Sequence, residues 1–363
     1  MQTLAHHVDV AVIGAGPAGC AAARVLAQQG CHVQLLDQVG TFEKPGQCLS
    51  AAARTLLQEL DLLDWIERSA PNSSAHGFSS WGQEALQVCQ FMHGAYAGGW
   101  LLDRRRFDTC LRAAAIDAGA EFHPNRVLQL QAVDDGWRLT LQQGKSTPQQ
   151  VHAAWLLDAS GRRSLCAQQL ELMRSNDESL IALYACGHDL VQDGRNVIEA
   201  VPQGWWMSGP LPGGRRVAAL HVCAEEASAI LRECGRWRQM LEQTRHLRQL
   251  CPDDGHWSTP HGCDASASRL SRVYGSNWLA CGDAALTFDP LATQGIVAAL
   301  HGGTRCAQAL LGARGGDNSA LPLYAQWLAD LHHSGRQQLL AHYRSEQRWP
   351  QQPFWACRHQ ASA

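Results

Sequence analysis

The sequence predicts an α/β fold in which a Rossmann-type nucleotide-binding domain is interleaved with an antiparallel-sheet domain and followed by C-terminal helices. Three observations carry this expectation. A glycine-rich turn joins an apolar strand to a helix near the start of the chain. Two more apolar strands run into glycine turns far downstream. The stretches between them break into short strand-like runs bounded by turn residues. The chain has 363 residues, enough for a large core in one or two domains at roughly 150 residues each. Its 30 basic and 33 acidic residues give a net charge of −3, which argues against nucleic acid as the main partner, because such proteins normally carry a basic excess.

Residues 8–13 read VDVAVI, the unbroken apolar run of a buried parallel strand. Gly14-Ala15-Gly16-Pro17-Ala18-Gly19 follows, then a helical pattern over 20–29, and a second apolar strand over 31–36 that ends in Asp37. This is the dinucleotide fingerprint in its required strand–turn–helix context, with an acid about 20 residues on. Gly14 allows the tight turn, Gly16 lets the backbone approach a pyrophosphate, and Gly19 lets the helix pack closely on the strand. The helix N-terminus turns its positive dipole end to the phosphates. Asp37 can accept hydrogen bonds from a ribose. The fingerprint alone does not separate FAD from NAD.

Further along, 49–63 and 107–118 have helical spacing, the second capped by Asp103 or a near neighbour. Residues 127–141 read as a hairpin turning at Asp134-Asp135-Gly136. Residues 181–189, 197–202 and 217–222 read as strands, with Pro212-Gly213-Gly214 as a turn between two of them. The stretch 321–348 is polar and helical. No internal repeat or low-complexity tract interrupts the chain.

The 14 cysteines lie at least eleven residues apart, so there is no C-x-x-C and no zinc-type spacing, and no metal site is expected. Cys20, Cys186, Cys223 and Cys281 fall in apolar stretches, where a thiol acts as a small hydrophobe. A reducing, cytoplasmic setting is expected, since residues 1–7 lack the layout of a signal peptide. No run of 18 apolar residues marks a membrane span. Two compositional oddities remain: 28 of the 30 basic residues are arginine, leaving only Lys44 and Lys145, and there are 13 tryptophans. GC-rich coding would by itself favour arginine.

Two further segments decide the cofactor. One is Trp155-Leu-Leu-Asp158-Ala-Ser-Gly161-Arg-Arg-Ser164; the other runs from Trp278 through Gly282-Asp283, Asp289-Pro290 and Gln294-Gly295-Ile296. With them the chain resembles the FAD-dependent monooxygenases of the para-hydroxybenzoate hydroxylase fold. It is most similar to the branch holding tryptophan halogenases and geranylgeranyl reductases. The resemblance covers nearly the whole chain and rests on four separated motifs. It implies FAD as cofactor and a division into an FAD-binding domain (1–70, 100–175, 268–312), a substrate domain (71–99, 176–267) and a C-terminal helical segment (313–363). It also implies that Asp283 meets the ribityl-phosphate region, that Pro290 lies at the reactive edge of the isoalloxazine, and that the Gly295 and Ile296 N–H groups face the flavin N1–O2 end. The segment from Asp158 to Ser164 would line the dinucleotide cleft. Within Asp103-Arg104-Arg-Arg-Phe107-Asp108, Arg104 matches the family arginine near FAD; a capped helix start with solvated arginines is the other reading. The stretch Lys44-Pro-Gly46-Gln47-Cys48-Leu resembles the family's Gly-Glu-x-Leu segment, with Gln47 in place of the acid.

Gly204-Trp205-Trp206-Met207-Ser208-Gly209-Pro210 resembles the halogenase signature Gly-Trp-x-Trp-x-x-Pro, which lies by the tunnel from flavin to substrate. Aromatic core packing explains Trp205 and Trp206 equally well. The halogenase lysine has no counterpart in 73–93, and Ala292 stands where a halogenase has glutamate, so halogenation is disfavoured. His188, His221 and Asp189 are candidate bases, though each also reads as an ordinary sheet-face residue, and no catalytic residue is assigned. By length and by Phe-Asp-Pro-Leu-x-x-Gln-Gly, the nearest subgroup is the maturation flavoproteins of cysteine tryptophylquinone enzymes such as lysine ε-oxidase and glycine oxidase. That resemblance implies a monooxygenase acting on a tryptophan or indole-type group of a precursor protein, with an external electron donor. A geranylgeranyl-reductase-like ene reductase and a flavin-holding chaperone of a precursor are the alternatives.

Overall fold

The computed structural model describes residues 7–38, 47–49, 53–69, 76–88 and 100–360. Its parallel layer is centred on the strand His7–Ile13, flanked in parallel by Val33–Leu36 and Gln149–Asp158. Glu121–His123 extends one edge and Trp278–Ala280 the other. The central strand is unbroken apolar from Val10 to Ile13, where both of its faces are covered, and Val10, Ala11 and Val12 are fully buried. The expected hairpin forms as Arg126–Val133 and Gly136–Gln142, which joins this sheet antiparallel to Gln149–Asp158.

Helix α1 (Pro17–Gln28) buries Ala21, Ala22, Ala23 and Leu26, and the proline at its first turn gives up no needed N–H. Where one helix is expected over 49–63, the described residues hold two short ones, Ala53–Glu59 and Leu63–Ser69, parted at Asp61, whose φ of 52° leaves the helical region. Helix α2 (Arg104–Asp117) starts as expected: the Asp103 carboxylate accepts the Arg106 N–H. Its Phe107, Leu111 and Ala114 make one buried stripe. Arg24 of α1 donates to the Ala114 carbonyl and so ties the two helices together.

A second sheet has seven strands in the order His261–Asp264, Ile181–His188, Arg215–Val222, Gly204–Leu211, Arg195–Val201, His76–Ser80, Gln87–Val88. The expected all-antiparallel arrangement is corrected at one pairing, since Arg195–Val201 runs parallel to His76–Ser80. Between those two strands the chain builds α2 and much of the parallel layer, the long crossover that a parallel pair requires. Three short helices within 224–250 cover one face of this sheet over a core with Trp206, Trp237 and Leu241.

Helix α3 (Gly295–Arg314) lies against α1, and Gly303 meets the α1 backbone directly. Helix α4 (Ala320–Ser345) has 26 residues and so spans about 39 Å at 1.5 Å per residue. Near its start Tyr324 donates to the Ala280 carbonyl in the parallel layer; near its end Leu339 and Tyr343 enter the core on the uncovered face of the second sheet. Helix α5 (Pro353–Gln360) adds Trp355, whose ring N–H donates to the Val201 carbonyl. The C-terminal helices are thus built into both layers.

Cys20 and Cys281 are buried as expected, whereas Cys186 and Cys223 are half-exposed, one near the end of a strand and one capping a helix. Among the described residues no helix is long and apolar enough to cross a membrane, and no group of three His, Cys, Asp or Glu is placed to hold a metal.

A Cβ on Gly303 would lie 2.1 Å from the Ala18 carbonyl oxygen. Gly303→Ala should therefore cost about 1–3 kcal/mol through overpacking. Urea unfolding should show a lower midpoint at unchanged slope, and an unchanged midpoint would contradict the contact.

Candidate functional site

The fingerprint turn has three glycines with three different surroundings. Gly14 sits at φ +103°, and a Cβ there would come within 2.2 Å of the Ala159 carbonyl oxygen. A Cβ on Gly19 would lie 1.8 Å from the Gly14 carbonyl oxygen, so the helix rests on the turn backbone. No atom lies within 4 Å of where a Gly16 Cβ would sit. The α1 N-terminus has no side-chain cap, so its first N–H groups are left for a ligand. This open cradle at an uncapped helix start fits a pyrophosphate. Asp37, just after the next strand, accepts the Ala15 N–H at 2.9 Å and so fixes the turn.

Asp158 is fully buried, and its carboxylate accepts the Ser160 N–H (3.0 Å) and the Cys166 N–H (2.7 Å). Burial holds its proton affinity above that of an ordinary carboxylate. Asp158 thereby shapes the turn that sets Ala159 against Gly14.

The Gly282-Asp283 turn abuts α1, where a Gly282 Cβ would lie 2.7 Å from that of Ala18. Asp283 and Gly295 line one small pocket with Phe288, Ala298 and Leu328. Between them, Asp289 caps the short turn Pro290–Ala292 by accepting the Leu291 N–H. Gly295 and Ile296 open α3, whose N-terminus also lacks a side-chain cap. The structure therefore brings the fingerprint, Asp283 and the start of α3 to one side of α1.

Gln47 pairs through its backbone with Leu102, two residues before Arg104, so two segments distant in sequence are neighbours here. The Gln47 side chain lies outside the described residues. Arg104 pairs with Asp108 at 3.2 Å and its side chain is only 11% exposed, whereas Arg105 and Arg106 of the same Asp103-capped start are exposed to solvent.

Trp205 and Trp206 are both fully buried, but strand alternation sends them to opposite faces. Trp206 packs edge-on against Trp237 beneath the covering helices, away from the Pro290–Ala292 turn. Trp205 is on the other face, in one core with Leu291, and stacks on His221 at 3.6 Å between ring centroids. The two cannot line one tunnel. Two of the base candidates are paired: Asp189 with buried Arg216 at 3.0 Å, and His188, 3.0 Å from an Asp254 carboxylate oxygen; His221 is buried and stacked on Trp205, with its Nδ1 unpartnered among the described residues.

Sequence reasoning missed Arg174. Its guanidinium donates to Ser268 (2.7 Å), Ser164 (2.6 Å) and the Asp283 carbonyl (2.9 Å), clamping the Asp158 turn to the Gly282-Asp283 turn. Burial, then Arg162 nearby, weakens its hold on its proton. Tyr343 was missed as well; it donates to Asp289 at 2.8 Å. Neither residue belongs to a local motif.

Residues 7–311 match the family described as FAD binding domain, and the chain belongs to that family. It is an FAD-dependent oxidoreductase. It is 27% identical, over 98% of both chains, to the FAD-dependent oxidoreductase LodB of Marinomonas mediterranea. Among solved structures it superposes on the myxobacterial chondrochloren halogenase CndH with a TM-score of 0.85 at 20% identity, covering 98% of this chain and 86% of that one. On the peptidyl tryptophan dihydroxylase QhpG the TM-score is 0.71 at 22% identity, covering 97% and 79%. At these identities the structural likeness establishes the fold.

The glycines make separable expectations. Gly16→Val should leave the melting temperature nearly unchanged and weaken FAD by roughly a hundredfold, about 2.8 kcal/mol, in a fluorescence titration. Gly19→Val should fail to fold, since its side chain meets backbone; equal behaviour of the two variants would contradict the cradle. A pH dependence follows from His221 and His342, whose pKa values burial pushes down to about 3. Unfolded imidazoles take up protons from about pH 6.5, and the folded ones do not, so stability falls as pH drops through that window. His221→Phe should flatten this loss in melting curves recorded across it.

Proposed function

We propose that this oxidoreductase is a monooxygenase that hydroxylates an aromatic, indole-type group, a tryptophan carried by a precursor protein during tryptophylquinone cofactor formation. The carrying observation is a ledge on the second sheet. Beyond the Trp205–His221 row, the same face carries Tyr184, Ala219, Met207 and Ile198 in register. Tyr184 and Met207 are half-exposed, whereas the row before them is sealed against Leu291 and α4. An apolar, partly aromatic ledge next to the Pro290–Ala292 turn suits a planar ring. The full-length likeness to LodB and the fold shared with QhpG support the same reading. Against halogenation, the buried Ala292 occupies the position of the halogenase glutamate, and 73–93 holds no lysine.

In this reading Gly14, Gly16 and Gly19 with Asp37 hold the adenosine diphosphate half of FAD, and Asp283 meets its ribityl-phosphate region. Arg104 and the Gln47 segment lie along the same cofactor. The uncapped N–H groups at Gly295 and Ile296 would hold negative charge on the ring system, as a helix start favours. Pro290 would border the reactive edge, the ledge would orient the substrate ring, and the sealed Trp205 row would exclude water behind it. Bound FAD supplies oxygen activation and hydroxyl transfer, with electrons from an external donor. Proton removal from the substrate is not assigned to His188 or Asp189, which are paired with Asp254 and Arg216, nor to His221, which is sealed beneath Trp205.

The test uses FAD-loaded protein, a chemical reductant, isotopically labelled dioxygen and a tryptophan-bearing precursor chain. Incorporation of labelled oxygen into tryptophan, read by mass spectrometry, is the expected result. Halide-dependent halogenation, oxygen-independent saturation of an isoprenoid, or precursor maturation by Gly16→Val would each overturn the reading in favour of a halogenase, an ene reductase or a chaperone.

A further inference from the structure

Asp289 immediately precedes Pro290, and its carboxylate is buried. One oxygen accepts the Leu291 N–H at 2.9 Å, which caps the turn. The other accepts the Tyr343 hydroxyl at 2.8 Å, across 54 residues of chain. The Tyr343 oxygen in turn accepts the Trp205 ring N–H at 3.1 Å. Three elements therefore meet at one hydroxyl: the turn, the last part of α4 and the second sheet. The Tyr343 ring is itself held, 5.8 Å from Trp81 and 6.2 Å from both Phe354 and Trp355.

We infer that Tyr343 is a positioning residue that fixes the Pro290–Ala292 turn, through Asp289, relative to the substrate-facing sheet, through Trp205. This rests on the reading that the turn borders the flavin. The physical reason is that a buried carboxylate keeps one geometry only while its acceptor positions are filled. Removing the hydroxyl frees one oxygen of Asp289 to turn or to take up a proton, and the turn moves with it. Tyr343 touches neither substrate nor cofactor in this account.

Among the described residues, few charged and titratable groups face Asp289. Tyr343 comes from α4, Arg358 from α5, and Glu178 from the segment before the Ile181–His188 strand. Burial raises the proton affinity of Asp289, while the Leu291 N–H, Tyr343 and Arg358 oppose that rise and Glu178 adds to it. Losing the Tyr343 hydroxyl removes one of the opposing contributions, so Asp289 should hold its proton to higher pH. His221, stacked on Trp205, stays neutral over the working range and does not mask this titration.

The test compares Tyr343→Phe with Tyr324→Phe in the full-length FAD-loaded protein. Both delete one buried hydroxyl from the same helix, but Tyr324 donates to Ala280 in the parallel layer. Visible circular dichroism of the bound flavin, followed against pH, reads the turn. Expected is an altered flavin spectrum in Tyr343→Phe whose pH midpoint lies about one unit higher, a tenfold change in proton affinity. FAD affinity should stay near that of the parent, and the Asp289→Asn, Tyr343→Phe double variant should lose the pH dependence. Tyr324→Phe should keep the parental spectrum and midpoint while losing comparable thermal stability. If Tyr343→Phe matches Tyr324→Phe, or if the double variant still titrates, Tyr343 is only a packing residue and the inference falls. Parent protein that binds no FAD would instead overturn the functional reading, a result visible before any variant is made.

Discussion

Backbone contact at the first turn of α1 is the constraint on which the rest of the structure depends. Three glycines from separate parts of the chain converge there. Gly19 rests on the Gly14 carbonyl, Gly282 on the Ala18 methyl, and Gly303 on the Ala18 carbonyl. None of these approaches tolerates a Cβ, so the helix start is fixed to the turn before it, to the Gly282-Asp283 turn and to α3. Packing of this kind leaves no freedom to slide. It also leaves the outer side of the turn clear at Gly16, so the close contacts behind the cradle are what hold its shape.

The second layer is joined to the first by different means. Helix α4 reaches from Ala280 to the core under Trp205, and Glu346 just beyond it is fully buried, accepting the Gly82 N–H and pairing with Arg348. Arg358 and Trp355 then donate to the carbonyls of Ser179 and Val201. The parallel layer is fixed by clearance between backbones, and the sheet layer by hydrogen bonds from large side chains. A sheet hung from a helix in this way has its distance from the Pro290–Ala292 turn set by side chains of the last 45 residues.

What was legible in the sequence follows from the range of each interaction. The fingerprint, the Asp103 cap, the hairpin and the strands within 181–222 are local, and their residue types and spacing declare them. Trp205 and Trp206 were legible too, since adjacent residues in a strand must face opposite ways, but the motif was taken as a unit. The internal role of Asp158 was not legible, because an acid at a strand end reads the same whether it meets a ligand or its own turn. The parallel pairing of Arg195–Val201 with His76–Ser80, the clamp at Arg174 and the Tyr343–Asp289 bond join residues with most of a domain between them. No periodicity encodes such contacts, and the aromatic and arginine abundance that makes them possible looked like composition alone.

Four buried or half-buried polar groups share a property that bears on mechanism. Asp158 holds a turn, Asp289 caps one, Arg174 clamps two, and Arg216 pairs with Asp189 between neighbouring strands. Each is a group whose burial would be costly if unpartnered, and each is partnered by the fold itself. A protein that performed its own acid–base chemistry would keep such a group aimed into the cleft with a poised proton affinity. Here the carboxyls of Asp158 and Asp289, whose proton affinity burial raises, face backbone N–H groups and a tyrosine. The division of labour is that of a cofactor enzyme: bound FAD brings the reactivity, and the chain contributes rigid placement of two uncapped helix starts, one turn and one ledge.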